Sequence, residues 1–211
     1  MRVTKAIKAE QLRRLEEVYF DAKPALEYNN EFESLVAVVL SAQCTDERVN
    51  IVTKRLFPEL NHPAKMLEIG LAKLDSLIRD CGLYKSKAAN LIKTCHILVE
   101  KYHGEVPQDF DALLSLPGVG RKTANVLVSV LWGIPAIAVD THVFRVSNRL
   151  KLAAADTKEA LEPKLQKAMP REKWAAAHHW LIYHGRRVCK ARKPLCETCF
   201  EADICPSAGK V

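Results

Sequence analysis

The chain has 211 residues, 48% of them hydrophobic, with 32 Lys plus Arg against 25 Asp plus Glu, a formal charge of +7 and a pI near 9.0. This globular composition excludes a disordered polyelectrolyte and allows one large domain or two small ones with a real core. No apolar run reaches the roughly 20 residues that cross a bilayer, and the charged N-terminal stretch lacks a signal-peptide core; a soluble intracellular protein, off the membrane, is expected.

Apolar residues recur at helical spacing almost throughout. Residues 4–21 predict a surface helix with Leu12, Leu15, Val18 and Tyr19 on one side. EFESLVAVVLSA, 31–42, is apolar nearly all round in its second half and predicts a buried helix. Thr45 fits an N-cap for a helix through TDERVNIVTKRLF, with Val49, Val52 and Leu56 on one face. A helix over 71–80 is expected to stop at Cys81-Gly82, with Gly82 as its C-terminal cap. SKAANLIKTCHILVEKYHG, 86–104, predicts a long helix ended by Gly104, followed by a short one over 108–114.

LPGVGRKTANVLVSVLWG, 116–133, predicts a glycine turn leading into an apolar helix anchored by Val126, Leu127, Val130 and Leu131. Asp140 opens the next helix, VDTHVFRVSNRL. Asp156 and Glu159 have capping-box spacing for another. Residues 171–188 predict the last long helix, which makes about ten helices in all and an all-α class.

The one compositional break is RRVCKARKPLCETCFEADICP, 186–206. Cys189, Cys196, Cys199 and Cys205 stand in the order C-x6-C-x2-C-x5-C. Four thiolates so close in sequence can wrap one metal centre, either structural zinc or a [4Fe–4S] cluster. Lys190, Arg192 and Lys193 lie between the first two cysteines, where a metal-pinned loop could offer cations to phosphate; a solvated charge run is the alternative. Cys44, Cys81 and Cys95 read as small buried apolar residues.

Gly118 and Gly120 let the backbone bend and offer N–H groups at a helix start, an anion site or simply a helix–helix connection. Lys122 lies in the first turn of that helix, where the positive end of the dipole disfavours an ammonium and favours a nucleophilic amine. Asp140 could serve it as a carboxylate partner or could only cap its own helix.

Taken together, LPGVGRKTA, VDTHVFRVSNRL, LSAQCTDERVN, GLYKSKA and the cysteine spacing resemble the endonuclease III family of helix–hairpin–helix DNA glycosylases over nearly the whole chain. The resemblance implies two all-helical domains flanking a DNA-binding cleft. One is a six-helix domain over 24–134 with the hairpin motif at about 108–130; the other combines 1–23 with 135–211 and the cluster loop 189–205. It implies a [4Fe–4S] cluster on the four cysteines, in preference to zinc. The implied partner is double-stranded DNA containing damaged bases or AP sites, met by a monomer in the cytoplasm, on the nucleoid. The implied activity is removal of damaged, mainly oxidised, pyrimidines from duplex DNA, with Lys122 forming a Schiff base, Asp140 assisting it, and β-elimination cutting the strand 3′ of the AP site. Gln43 and Leu83 would fill the gap left by a flipped base; on the bland reading they are a helix-end polar residue and part of the core. Gly118, Val119, Gly120, Thr123, His142, Lys190, Arg192 and Lys193 would contact DNA. An adenine mismatch glycosylase is the nearest alternative, but such enzymes generally lack the lysine and carry a further C-terminal domain. A non-catalytic Fe–S or Zn DNA-binding module is another, and it leaves Lys122 and Asp140 without a common task.

Overall fold

The computed structural model describes residues 3–211 and is all-helical, with no strand among the described residues. In chain order the α-helices are α1 (Lys5–Val18), α2 (Glu31–Leu40), α3 (Asp46–Leu56), α4 (Pro63–Leu77), α5 (Tyr84–Tyr102), α6 (Phe110–Leu114), α7 (Arg121–Trp132), α8 (Thr141–Leu150), α9 (Lys158–Ala168) and α10 (Trp174–Arg187). Short 3₁₀ turns cover Arg171–Lys173 and Cys196–Thr198. The chain divides into two compact units, Ala25–Trp132 and Met1–Pro24 with Gly133–Val211.

The first of these units contains α2 to α7. Helix α2 is apolar around most of its circumference, and every residue from Phe32 to Leu40 is buried. A helix without a polar face must sit inside, and α3, α5 and α7 pack against it. Thr45 caps α3, its side chain accepting from the Arg48 N–H, and Val49, Val52 and Leu56 are buried on one face as their spacing requires. Truncating any fully buried leucine here to alanine costs roughly 2–5 kcal/mol.

The second unit gathers α1, α8, α9 and α10 around one apolar cluster that includes Leu15, Ile137, Val143, Val146, Leu161, Leu165 and Leu181. Leu12 of α1 and its C-cap residue Tyr19 join it, whereas Val18 is 46% exposed.

Several boundaries differ from the sequence expectation. The helix expected at 71–80 is the second half of α4, which starts at Pro63, kinks at Gly70 (φ 69°) and ends at Leu77 with Ile78 as its cap. Gly82 therefore caps nothing. The kink hid the first half, because a glycine with left-handed backbone breaks the apolar period. Thr157, not Asp156, caps α9, its side chain accepting from the Ala160 N–H. The expected helix 171–188 opens as a 3₁₀ turn before α10. On α7 the fully buried side chains are Ala124, Asn125, Leu127 and Val128; Val126, Val130 and Leu131 are only half-buried. Cys44 is also half-buried, unlike Cys81 and Cys95.

Candidate functional site

The hairpin between α6 and α7 is a tight connection. Val119 N–H donates to the Leu116 carbonyl at 3.0 Å, and both side chains are buried under the turn. Thr94 Oγ1 of α5 donates to the Pro117 carbonyl at 3.0 Å and ties the turn down. Gly118 has φ 82°, and a Cβ there would stand 3.1 Å from Asn90 Cβ. The positive φ calls for glycine, and a Cβ would in addition push the Asn90 side chain aside by a few tenths of an ångström. Space around Gly120 is open. Helix α7 then begins at Arg121, so Lys122 lies in its first turn, exposed, and Thr123 follows it half-buried. The first-turn N–H groups of a helix and its dipole favour an anion at this end. Arg121 lies over the Phe110 ring, 5.5 Å from its centroid.

Two loops of the same unit meet although they are forty residues apart in sequence. Gln43 and Leu83 are both left-handed, at φ 53° and 59°. A Cβ on Gly82 would come within 2.8 Å of the Gln43 carbonyl oxygen, so only glycine allows this approach. Leu83 is 57% exposed and thus not a core residue. An exposed leucine on a strained backbone position points to a role outside packing. Lys87 holds the junction from beneath. It is buried, and its Nζ donates to the Leu40 carbonyl at 2.7 Å, satisfying the end of α2. Burial lowers the Lys87 pKa, opposed by the nearby Cys81 and Cys44. Nothing local in the sequence distinguishes the buried Lys87 from the exposed lysines around it.

In the other unit Asp140 is the N-cap of α8. Its Oδ1 accepts from the Val143 N–H at 2.7 Å. His142 sits one residue inside the helix, half-buried, with Nδ1 3.1 Å from Arg145 Nη2. Desolvation lowers the His142 pKa, and Asp140 opposes that shift.

The four loop cysteines are free thiols and line one cavity together with Arg149, Leu150 and His184. Among the described residues no three His, Cys, Asp or Glu side chains are grouped as a site for one ion. Four thiols around one apolar hollow are a donor set suited to a sulfur-bound group. Two arginines of α8, absent from the sequence expectation, brace the loop. Arg145 Nε donates to the Cys189 carbonyl at 3.0 Å, and Arg149 donates to the Lys190 and Ala191 carbonyls at 2.6 and 3.1 Å. Arg149 Nη1 also lies 3.5 Å from Cys189 Sγ. His184 was missed as well. Its Nδ1 is 3.2 Å from the Tyr19 hydroxyl and its Nε2 is 3.8 Å from Cys199 Sγ. The only sequence signal for these residues was their helical register facing the loop. Lys190, Arg192 and Lys193 are exposed, Lys193 with φ 51°.

A helical hairpin with paired turn glycines and an exposed lysine at a helix start defines a class. Residues 36–171 match the family model described as HhH-GPD superfamily base excision DNA repair protein. The chain is 50% identical over 209 residues to endonuclease III of Escherichia coli (strain K12), covering 99% of both. It is 46% identical over 200 residues to endonuclease III of Bacillus subtilis (strain 168), covering 94% of this chain and 91% of that one. A trapped endonuclease III–DNA covalent intermediate, an estranged-adenine complex, superposes with a TM-score of 0.94 at 48% identity over 98% of both chains. A thermostable thymine-DNA glycosylase shares the fold, with a TM-score of 0.89 at 21% identity over the whole of both chains. The chain belongs to the endonuclease III family.

Proposed function

We infer that the chain is a bifunctional DNA glycosylase and AP lyase of base excision repair, which removes damaged, mainly oxidised, pyrimidines from duplex DNA and cuts the strand 3′ of the abasic site. The observation that carries this reading is the near-complete match to a trapped covalent protein–DNA intermediate. In this reaction Lys122 is the nucleophile. Its amine attacks C1′ of the flipped nucleotide, the base leaves with the bonding pair, and loss of the sugar ring oxygen bond leaves an imine. Removal of a C2′ proton then expels the 3′ phosphate by β-elimination, and water releases the lysine. Asp140 lies at the mouth of α8 and stabilises positive charge at the sugar or takes the proton from the amine. Gly118, Val119, Gly120 and Thr123 offer the hairpin to a phosphate, and His142 contacts DNA from the start of α8. Leu83 wedges the stack and Gln43 fills the vacated space.

Wild-type enzyme treated with borohydride on duplex containing an oxidised pyrimidine should give a covalent protein–DNA adduct. The same duplex without the lesion should give none. Base release with no trappable adduct would reduce the activity to a simple glycosylase.

The four cysteines would hold a [4Fe–4S] cluster, which when bound staples loop 189–205 so that Lys190, Arg192 and Lys193 are held in position. The single cavity they share and the two bracing arginines support this fit. Purified protein should contain iron and acid-labile sulfide in near-equal amounts with visible absorbance. Stoichiometric zinc without colour would refute the cluster. Lys193→Glu should weaken DNA binding and lower the salt slope by about one, as loss of a phosphate contact requires. An unchanged slope would make Lys193 a bystander. The partner is double-stranded DNA with damaged bases or AP sites, met by a monomer in the cytoplasm. No described helix is long and apolar enough to cross a membrane.

A further inference from the structure

We propose that Cys44 and Cys81 form a reversible disulfide that ties together the two loops carrying Gln43 and Leu83 and thereby slows base extrusion. Both are free thiols, and they lie outside the cysteine loop, in the Ala25–Trp132 unit. Cys44 is half-buried and reachable from solvent, while Cys81 beneath it is 1% exposed. The Cys44 thiol is among the groups that shift Cys81, so the two sulfurs lie in each other's vicinity. Their neighbours in sequence, Gln43 and Gly82, approach so closely that a Cβ on Gly82 would be 2.8 Å from the Gln43 carbonyl. Lys87 stands near enough to feel both sulfurs. Burial pushes the Cys81 thiol up to about 11. Cys44 is thus the sulfur that meets the oxidant, and Cys81 is the resolving partner.

The oxidant is a hydroperoxide. The Cys44 thiolate attacks one peroxide oxygen, an S–O bond forms, and the O–O bond breaks. With hydrogen peroxide the departing hydroxide takes a proton and leaves as water. Cys81 then gives up its proton and attacks the sulfenic sulfur; the S–S bond forms and a second water departs. Two thiols are oxidised and one peroxide is reduced to two waters.

A disulfide needs sulfurs about 2 Å apart, so the two loops must close on each other for the bond to form. A shift of about 1 Å at positioning residues can cost up to about a hundredfold in rate. The consequence for activity rests on the wedge roles of Gln43 and Leu83 given above; the disulfide itself does not.

The test uses full-length holoprotein exposed to mild hydrogen peroxide, with the cluster absorbance followed so that its loss is seen. Free thiols are then alkylated and the peptides mapped. The expected result is a linked Cys44–Cys81 peptide pair that dithiothreitol releases and that Cys44→Ala does not form. Single-turnover excision of an oxidised pyrimidine should fall about tenfold in the linked protein, within the range that small displacements produce. Cleavage at a preformed AP site, where no base has to leave the stack, should change less than about twofold, and Cys44→Ala should keep its excision rate under peroxide. Absence of the linked pair, or a linked pair with unchanged excision, overturns the proposal. If reduced Leu83→Ala excises at the wild-type rate, the wedge reading falls and the mapped disulfide stands.

Discussion

Lys122→Gln is expected to bind lesion-bearing duplex and to give no borohydride-stable adduct. An amide nitrogen is not a nucleophile, so neither the imine nor the elimination that depends on it can form. Loss of a covalent nucleophile lowers turnover by a thousandfold or more, on the order seen when such groups are removed elsewhere. Lys122 is exposed in the first turn of α7, and the helix is anchored by Ala124, Leu127 and Val128 rather than by the lysine stem. The variant should therefore fold normally, and affinity should drop only by about the contribution of one cation, roughly tenfold or less at moderate salt. Trapping, single-turnover excision and a binding titration on the same preparation test all three points. A variant that still cut damaged DNA at the normal rate would remove Lys122 from the mechanism.

Asp140→Asn separates two jobs of one side chain. Asp140 caps α8 by accepting from the Val143 N–H at 2.7 Å. Asparagine caps a helix about as well as aspartate, so thermal stability should be close to wild type. The substitution removes the negative charge that the proposed mechanism assigns to Asp140, and base excision should fall about a hundred- to ten-thousandfold, as for removal of a general base. Affinity for damaged duplex should be kept. Asp140→Ala should show the same rate loss and in addition lose about 1 kcal/mol of stability with the cap. Normal excision in Asp140→Asn would leave Asp140 as a cap alone.

The helical class was readable because apolar spacing is a local property, and α2, α3 and α5 follow from it directly. Failures came where a second constraint overrode the period. Gly70 kinks α4 and conceals its first half. Thr157 takes the capping place from Asp156. Val126, Val130 and Leu131 satisfy the apolar pattern of α7 without being fully buried.

The candidate site residues were readable for a different reason. Lys122 follows a glycine turn at a helix start, Asp140 occupies a capping position, and four cysteines fall within seventeen residues. Each is a local arrangement whose spacing restricts what it can do. Arg145, Arg149 and His184 carry no such mark, since what matters about them is the loop that they reach across 15 to 44 positions of sequence.

By itself the sequence determined the all-helical class, the hairpin with its lysine, the aspartate cap and the cysteine set, because all of these depend on neighbours within a few residues. Tertiary structure alone decided that Gly82 meets the Gln43 backbone and serves that approach and not a cap, and that Lys87 is buried against the end of α2. It also decided that Cys44 and Cys81 lie in neighbouring loops. The physical reason is that burial and side-chain contact come from packing between segments far apart in the chain, and no local period records which distant segment will be the neighbour.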